Sequence, residues 1–195
     1  RSQRAQSLLE LALDYMRAGL LDRAESLCKE LIGMEARTGR ALALLSDIYQ
    51  QEKEWEQAIA VTRRLQEKTG QPMERAIAQF YCELAEQARE AGNVEEARGR
   101  IEEALTIDPD CVRASIILGE MAAAAGDCRQ AIRAYQQVER QDPAYLPEVI
   151  PDLVSSYRQC KAADELLDYL LKLFAERGGV TVLLALVELI EQEKG

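Results

Sequence analysis

The chain has 195 residues, 48% hydrophobic but only 5% aromatic, with 24 basic residues against 34 acidic ones and a net charge of −10. That balance argues against a nucleic-acid backbone or an anionic membrane surface as the main partner. Histidine is missing altogether, which removes the commonest general base, the Ser-His and Cys-His nucleophile pairs and the commonest metal ligand.

Taken in chain order, one pattern recurs: Leu-small-x-x-Tyr/Ala, a Gly-Asp-type turn four residues on, then a small residue and spaced apolar positions. The first copy reads Leu11-Ala12, Tyr15, Gly19, Ala24, Cys28 and Leu31. The second reads Leu45-Ser46, Tyr49, Trp55, Ala58 and Leu65, and Tyr15 to Tyr49 is 34 residues. Ala58 to Ala97 is 39 residues, so five extra residues fall near Gly70 to Arg75, where Pro72 is expected to start a lengthened helix. The third copy reads Leu84-Ala85, Ala88, Gly92-Asn93, Ala97, Ile101 and Asp108-Pro109. The fourth reads Leu118-Gly119, Ala122, Gly126-Asp127, Ala131, Tyr135 and Asp142-Pro143, again 34 residues on at every position. In the fifth, with Leu153-Val154, Tyr157, Leu166, Leu170 and Leu173, Lys161-Ala162 replaces the Gly-Asp turn and Leu166 replaces the small alanine. Pro147 suits a helix start, whereas Pro151 removes a backbone donor and is expected to shift the start or bend the axis. A half-copy from Thr181 to Gly195 carries two apolar faces and no second helix.

This frame resembles the tetratricopeptide repeat over essentially the whole chain. The resemblance implies an all-α, right-handed superhelical solenoid of antiparallel helix pairs with a groove lined by the first helix of each pair. One array over 1–195 is expected, with copies at about 5–38, 39–77 with the insertion, 78–111, 112–145 and 147–180, then the half-repeat 181–195. Small residues at Ala12, Ser46, Ala85 and Gly119, and at Ala24, Ala58, Ala97 and Ala131, let paired helices approach closely.

More particular strings carry a narrower likeness: Asp14 through Glu25, Ile48-Tyr49 with Glu54-Trp55 and Gln57-Ala58-Ile59, Phe80 through Ala85, and Ala104 through Ile116. Together they are similar to the cytoplasmic repeat region of the bacterial lipopolysaccharide assembly protein B (LapB) family. That resemblance implies a non-enzymatic adaptor that brings the deacetylase LpxC to the membrane protease FtsH for degradation. It also implies an inner-membrane anchor before the repeats and a rubredoxin-like metal knuckle of CxxC pairs after them. Neither is in this chain, whose longest nearly uncharged stretch, 180–187, is too short to span a bilayer and which opens with no signal peptide. Beginning at Arg1, the chain reads as a soluble cytoplasmic piece of something longer. The alternative is a generic bacterial tetratricopeptide scaffold for another protein client.

Residues that could carry chemistry have plainer readings. Glu95-Glu96 and Glu102-Glu103 lie on helices beside Arg98 and Arg100 and read as a solvated face. Asp108-Pro109-Asp110 could offer oxygens to a cation, but its twin Asp142-Pro143-Ala144 marks it as an inter-repeat turn. No glycine-rich phosphate loop is present, so catalytic, cofactor and metal residues are all expected to be absent. Cys28, Cys82, Cys111, Cys128 and Cys160 stand at least 17 residues apart, without a CxxC pair, and are expected as free thiols in a reducing compartment. By repeat position Cys28 and Cys128 are expected in the core. Cys82 is expected toward the groove, Cys111 between repeats and Cys160 near a helix end, where one of the three could be regulatory.

The second, fifth, ninth and twelfth positions of each copy place Gln6, Leu9, Leu13 and Met16, then Arg40, Ala43, Asp47 and Gln50, on the groove wall. Gln79, Cys82, Glu86 and Arg89, then Arg113, Ile116, Glu120 and Ala123, then Glu148, Pro151, Ser155 and Arg158 continue it. Arg40, Arg113 and Arg158 are expected to fork onto a partner's carboxylates, and Glu86 and Glu120 to meet its basic groups, with Asp47, Gln79 and Arg89 beside them. The competing reading is that these charges pair with one another. A clamp for a chaperone's C-terminal carboxylate is not expected, because it needs Lys and Asn where Leu9, Leu13, Ala43, Asp47, Cys82 and Glu86 stand. The half-repeat is expected to need a cover, either further chain or a second copy in a homodimer.

Overall fold

The computed structural model describes residues 2–35 and 37–194, and Gly195 of the expected half-repeat lies outside them. The described elements are α1 (Ser2–Arg17), α2 (Leu21–Gly33), α3 (Thr38–Gln51), α4 (Trp55–Thr69), α5 (Glu74–Glu90), α6 (Val94–Ile107), α7 (Val112–Ala124), α8 (Cys128–Gln141), a 3-10 turn at Pro143–Tyr145, α9 (Leu146–Gln159), α10 (Ala163–Arg177) and α11 (Val180–Lys194). They form two compact units, Arg1–Ile107 and Asp108–Gly195. In the first, the hairpins α1–α2, α3–α4 and α5–α6 stack in chain order. In the second, α7–α8 is followed by α9, α10 and α11.

Five hairpin turns use one device. The residue four beyond Tyr15, Tyr49, Ala88, Ala122 and Tyr157 lies at positive φ: Gly19 at 72°, Lys53 at 59°, Gly92 at 79°, Gly126 at 79° and Lys161 at 54°. The following N–H then returns across the turn, from Leu20 to the Tyr15 carbonyl (2.9 Å), Glu54 to Tyr49 (2.8 Å), Asn93 to Ala88 (2.8 Å), Asp127 to Ala122 (2.9 Å) and Ala162 to Tyr157 (3.0 Å). Lysine fills a glycine's role twice, with its Cβ crowding the carbonyl in the left-handed region. Lys53→Gly and Lys161→Gly are each expected to raise stability by up to about 1 kcal/mol. Urea titration checks this, and no gain at either site would mean the turns hold no strain.

Each hairpin closes on two residues 16 positions apart. The Ser46 and Thr62 hydroxyls, both buried, lie 2.8 Å from each other. A Cβ built on Gly119 would fall 2.5 Å from Cε1 of the buried Tyr135 ring, so only glycine admits that ring. The same two positions hold Ala12 with Cys28 and Ala85 with Ile101, all fully buried. A small residue on the first helix therefore faces a larger one on the second. In the fifth copy the positions hold Val154 and Leu170, and Leu166 fills the slot of Ala24, Ala58, Ala97 and Ala131. Side chains of that size hold the helices apart, and α9 and α10 are in far less close contact than the partners in the other hairpins.

Two sequence expectations about proline meet the structure differently. Pro72 does not start a helix: Gly70, at φ 68°, ends α4, Met73 keeps the non-helical φ −125° and ψ 10°, and α5 begins at Glu74. Pro147 does sit in the opening turn of α9, while Pro151 lies inside that helix without displacing its start. The two Asp-Pro turns are alike. Oδ1 of Asp108 accepts from the N–H of Asp110 (3.2 Å), and Oδ1 of Asp142 accepts from that of Ala144 (3.0 Å). In α11 the two apolar faces are plain, with Val182, Leu186 and Leu189 buried and Val180, Leu183, Leu184, Val187 and Ile190 exposed. Among the described residues no helix is long and apolar enough to cross a membrane.

Candidate protein-binding wall

Odd-numbered helices touch directly at three places, α1 against α3 in the first unit and α7 against α9 and α9 against α11 in the second, and these pairs form the wall considered within each unit. In the first unit α1 and α3 enclose a cleft of about 290 Å³ lined by Gln6, Leu9, Glu10, Leu13, Arg40, Ala43, Leu44 and Asp47. Six of these residues were expected on the wall from repeat spacing. Glu10 and Leu44 were missed because each lies one residue beside an expected position, and a cleft between two helices takes in more than one row of each.

The cleft has an apolar floor and a charged rim. Leu9 and Leu44 are buried beneath it, Leu13 is partly exposed at its side, and Arg40 and Asp47 stand exposed at the edge of α3. Arg40 has no carboxylate within ion-pair distance among the described residues. Asp47 accepts a long hydrogen bond from Gln50 Nε2 (3.4 Å), and partial burial pushes its carboxyl above its ordinary value. Gln6 donates to Glu10 (2.5 Å), which places a second carboxylate on the α1 side. The arrangement can take an apolar side chain between the helices while a guanidinium and carboxylates read polar groups beside it.

Elsewhere the wall departs from expectation in part. On α5, Gln79 is exposed, but Cys82 is fully buried and belongs to the core rather than to the groove. Arg89 donates to both carboxylate oxygens of Glu86 (3.2 Å each), which is the mutual pairing weighed against partner binding. On α7, Arg113 and Ile116 are half-buried and Glu120 is exposed. On α9, Glu148, Pro151, Ser155 and Arg158 are all exposed.

Away from the wall, one member of each acidic pair of α6 is in ion-pair contact. Arg100 meets Glu56 (2.7 Å), Glu96 (3.6 Å) and Glu103 (3.7 Å). Trp55 is half-buried and stacks on Phe80 with ring centroids 5.8 Å apart, and Tyr49 and Tyr157 are buried. Tyr49 donates to Glu25 (2.7 Å), which Lys29 also contacts (2.6 Å); the lysine first and the tyrosine second hold the Glu25 carboxyl below its ordinary value.

The cysteines correct the expectation of five free thiols. Cys28, Cys82 and Cys111 are free and buried, and burial pushes the Cys28 thiol up to about 11. Cys128 and Cys160, 32 residues apart, form a disulfide. Cys128 is therefore half-buried and bonded rather than a core apolar residue, because the stacking of α8 on α9 brings the start of one helix to the end of the other.

Comparison with known proteins agrees with this geometry. The tetratricopeptide repeat family model matches residues 9–72 and 82–145. The chain is 34% identical over 195 residues to lipopolysaccharide assembly protein B of Escherichia coli K12, covering 99% of this chain and 50% of that protein. It is 33% identical over 186 residues to the protein of the same name from Haemophilus influenzae, covering 95% of this chain and 47% of the relative. The chain thus spans about half the length of the curated relatives it matches. Among solved structures, a crystal structure of MamA protein superposes with a TM-score of 0.54 at 16% identity over 90% of this chain and 92% of that one. A second MamA structure gives 0.51 at 14% identity, over 94% of each. These two likenesses concern the fold.

Proposed function

Because the chain belongs to the tetratricopeptide repeat family, we propose that it is a non-enzymatic adaptor in the control of lipopolysaccharide synthesis, its odd-helix wall holding a protein client. The observation that carries this reading is the cleft between α1 and α3, apolar at its floor and bearing at its rim Arg40, which has no ion-pair partner among the described residues. Its relation to lipopolysaccharide assembly protein B supports the process, and the family resemblance supports the partners: LpxC as client and FtsH as the protease that receives it. In this reading Arg40, Asp47, Gln79, Glu86, Arg89, Arg113, Glu120 and Arg158 are the polar contacts. The membrane anchor and rubredoxin-like metal knuckle, with a location on the cytoplasmic face of the inner membrane, belong to the whole protein and to the same proposal.

Two measurements test it. Removing residues 1–195 from the whole protein should leave LpxC long-lived in cells; ordinary LpxC turnover without the array would sink the reading. Arg40→Glu should keep the helical circular dichroism of the parent and weaken capture of LpxC, since a carboxylate would then face the acidic groups that the guanidinium attracts. Unchanged capture would remove the cleft from the site. A generic scaffold for another client would show instead as native complexes that consistently lack both LpxC and FtsH.

A further inference from the structure

The two cysteines that bond lie at a particular place. Cys128 is the first residue of α8 and Cys160 follows the last residue of α9, with α-carbons 5.6 Å apart, so the bond ties the hairpin α7–α8 to the helix that opens the next one. Both residues are half-buried, within reach of a small reagent, while Cys28, Cys82 and Cys111 are buried away from it. Beside the bond, Arg129 donates to both oxygens of Glu165 (2.6 and 2.9 Å), joining α8 to α10. That ion pair is exposed on both sides and does not involve the sulfurs. The bond also attaches to the hairpin α9–α10, the least closely packed of the described hairpins, where Val154, Leu166 and Leu170 separate the helices and Pro151 lies inside α9.

We propose that Cys128 and Cys160 are a reversible thiol–disulfide site, exchanging with low-molecular-weight thiols of the glutathione class, and that their bond clasps α9 onto α8. In the open form Cys128, at the N-terminus of α8, is taken as the attacking sulfur. Its thiolate attacks one sulfur of the small disulfide, forming a mixed disulfide and releasing one thiolate. The Cys160 thiolate then attacks Sγ of Cys128, closes the protein bond and releases the second. The cysteine pair loses two electrons, the small disulfide gains them, and the two cysteine protons end on the two thiols released. Reduction runs the same steps backwards and frees the end of α9.

The test uses the full chain equilibrated in glutathione buffers of graded reduced-to-oxidised ratio, then quenched by alkylation and weighed intact. The bonded fraction should follow the ratio, with two alkyl groups added on reduction and three more only after denaturation. A bond that persists at every ratio would make it a fixed staple, and one that never forms would remove it; either overturns the proposal. Limited proteolysis supplies the second readout. Cleavage between α9 and α10 should quicken several-fold on reduction, and Cys128→Ser with Cys160→Ser should be fast in either buffer. Equal cleavage of the oxidised and reduced parent would show that the bond clasps nothing, and this comparison stands even if the double variant fails to fold.

Discussion

Leu166→Ala is expected to lower the stability of the chain by about 2–5 kcal/mol, even though alanine fills that position in every other hairpin. Restoring a repeat's common residue ordinarily stabilises. Here the surroundings decide otherwise. Ala24, Ala58, Ala97 and Ala131 are fully buried because their partner helices lie close enough to cover a methyl group. In the fifth hairpin Val154 and Leu170 keep α9 and α10 apart, and Leu166, fully buried as well, fills the space between them. Truncation would leave a cavity that α9 cannot close, since Val154 would have to move into the position that glycine, alanine or serine holds elsewhere. Chemical denaturation followed by far-ultraviolet circular dichroism measures the loss. A variant as stable as the parent would show that the helices can close up, and that Leu166 does not set their separation.

The same hairpin shows where sequence reading works and where it stops. The frame was legible because small residues and turn residues recur at a fixed spacing, and each has a steric reason to be where it is. Frame position carried even Lys161, which looks nothing like a turn glycine yet adopts the same left-handed φ. It also placed Arg40 and Asp47 on one cleft with Gln6, Leu9 and Leu13, because helices stacked at a fixed register bring matching positions together. What the frame does not contain is a contact between non-matching positions. Cys128 takes the slot of Trp55, and Cys160 precedes a turn, so no comparison of copies pairs them; only the packing of α8 against the end of α9 does. Pro72 was misplaced for a related reason. An insertion has no counterpart in the other copies, and Met73, at φ −125° and ψ 10°, stands before a helix that begins at Glu74. Cys82 shows the remaining gap, for it holds the position that Leu9 and Ala43 take on the cleft, yet it is fully buried.

Gly119→Ala puts the steric account to its most demanding trial, because two general effects oppose each other at one atom. In the interior of α7, alanine is favoured over glycine by about 1 kcal/mol on helix propensity alone. Against this, the new methyl would lie 2.5 Å from Cε1, 2.7 Å from Cζ and 2.8 Å from Cδ1 of Tyr135. The ring is buried to 1% exposure and belongs to the packed core of its unit, so it cannot swing away as an exposed side chain would. Overpacking of this kind costs about 1–3 kcal/mol and outweighs the propensity gain, so a net loss is expected. The decisive arm is rescue. Tyr135→Ile alone should destabilise by opening a space against Gly119, whereas Gly119→Ala with Tyr135→Ile recreates the pairing of Ala85 with Ile101, both fully buried in the third hairpin. The double variant should therefore be more stable than the sum of the two single losses predicts, with a coupling of about 0.5–3 kcal/mol measured in a double-mutant cycle. Strictly additive losses would mean that the two positions do not fit one another as a pair, and the rule that a small residue on the first helix answers a larger one on the second would fall with them.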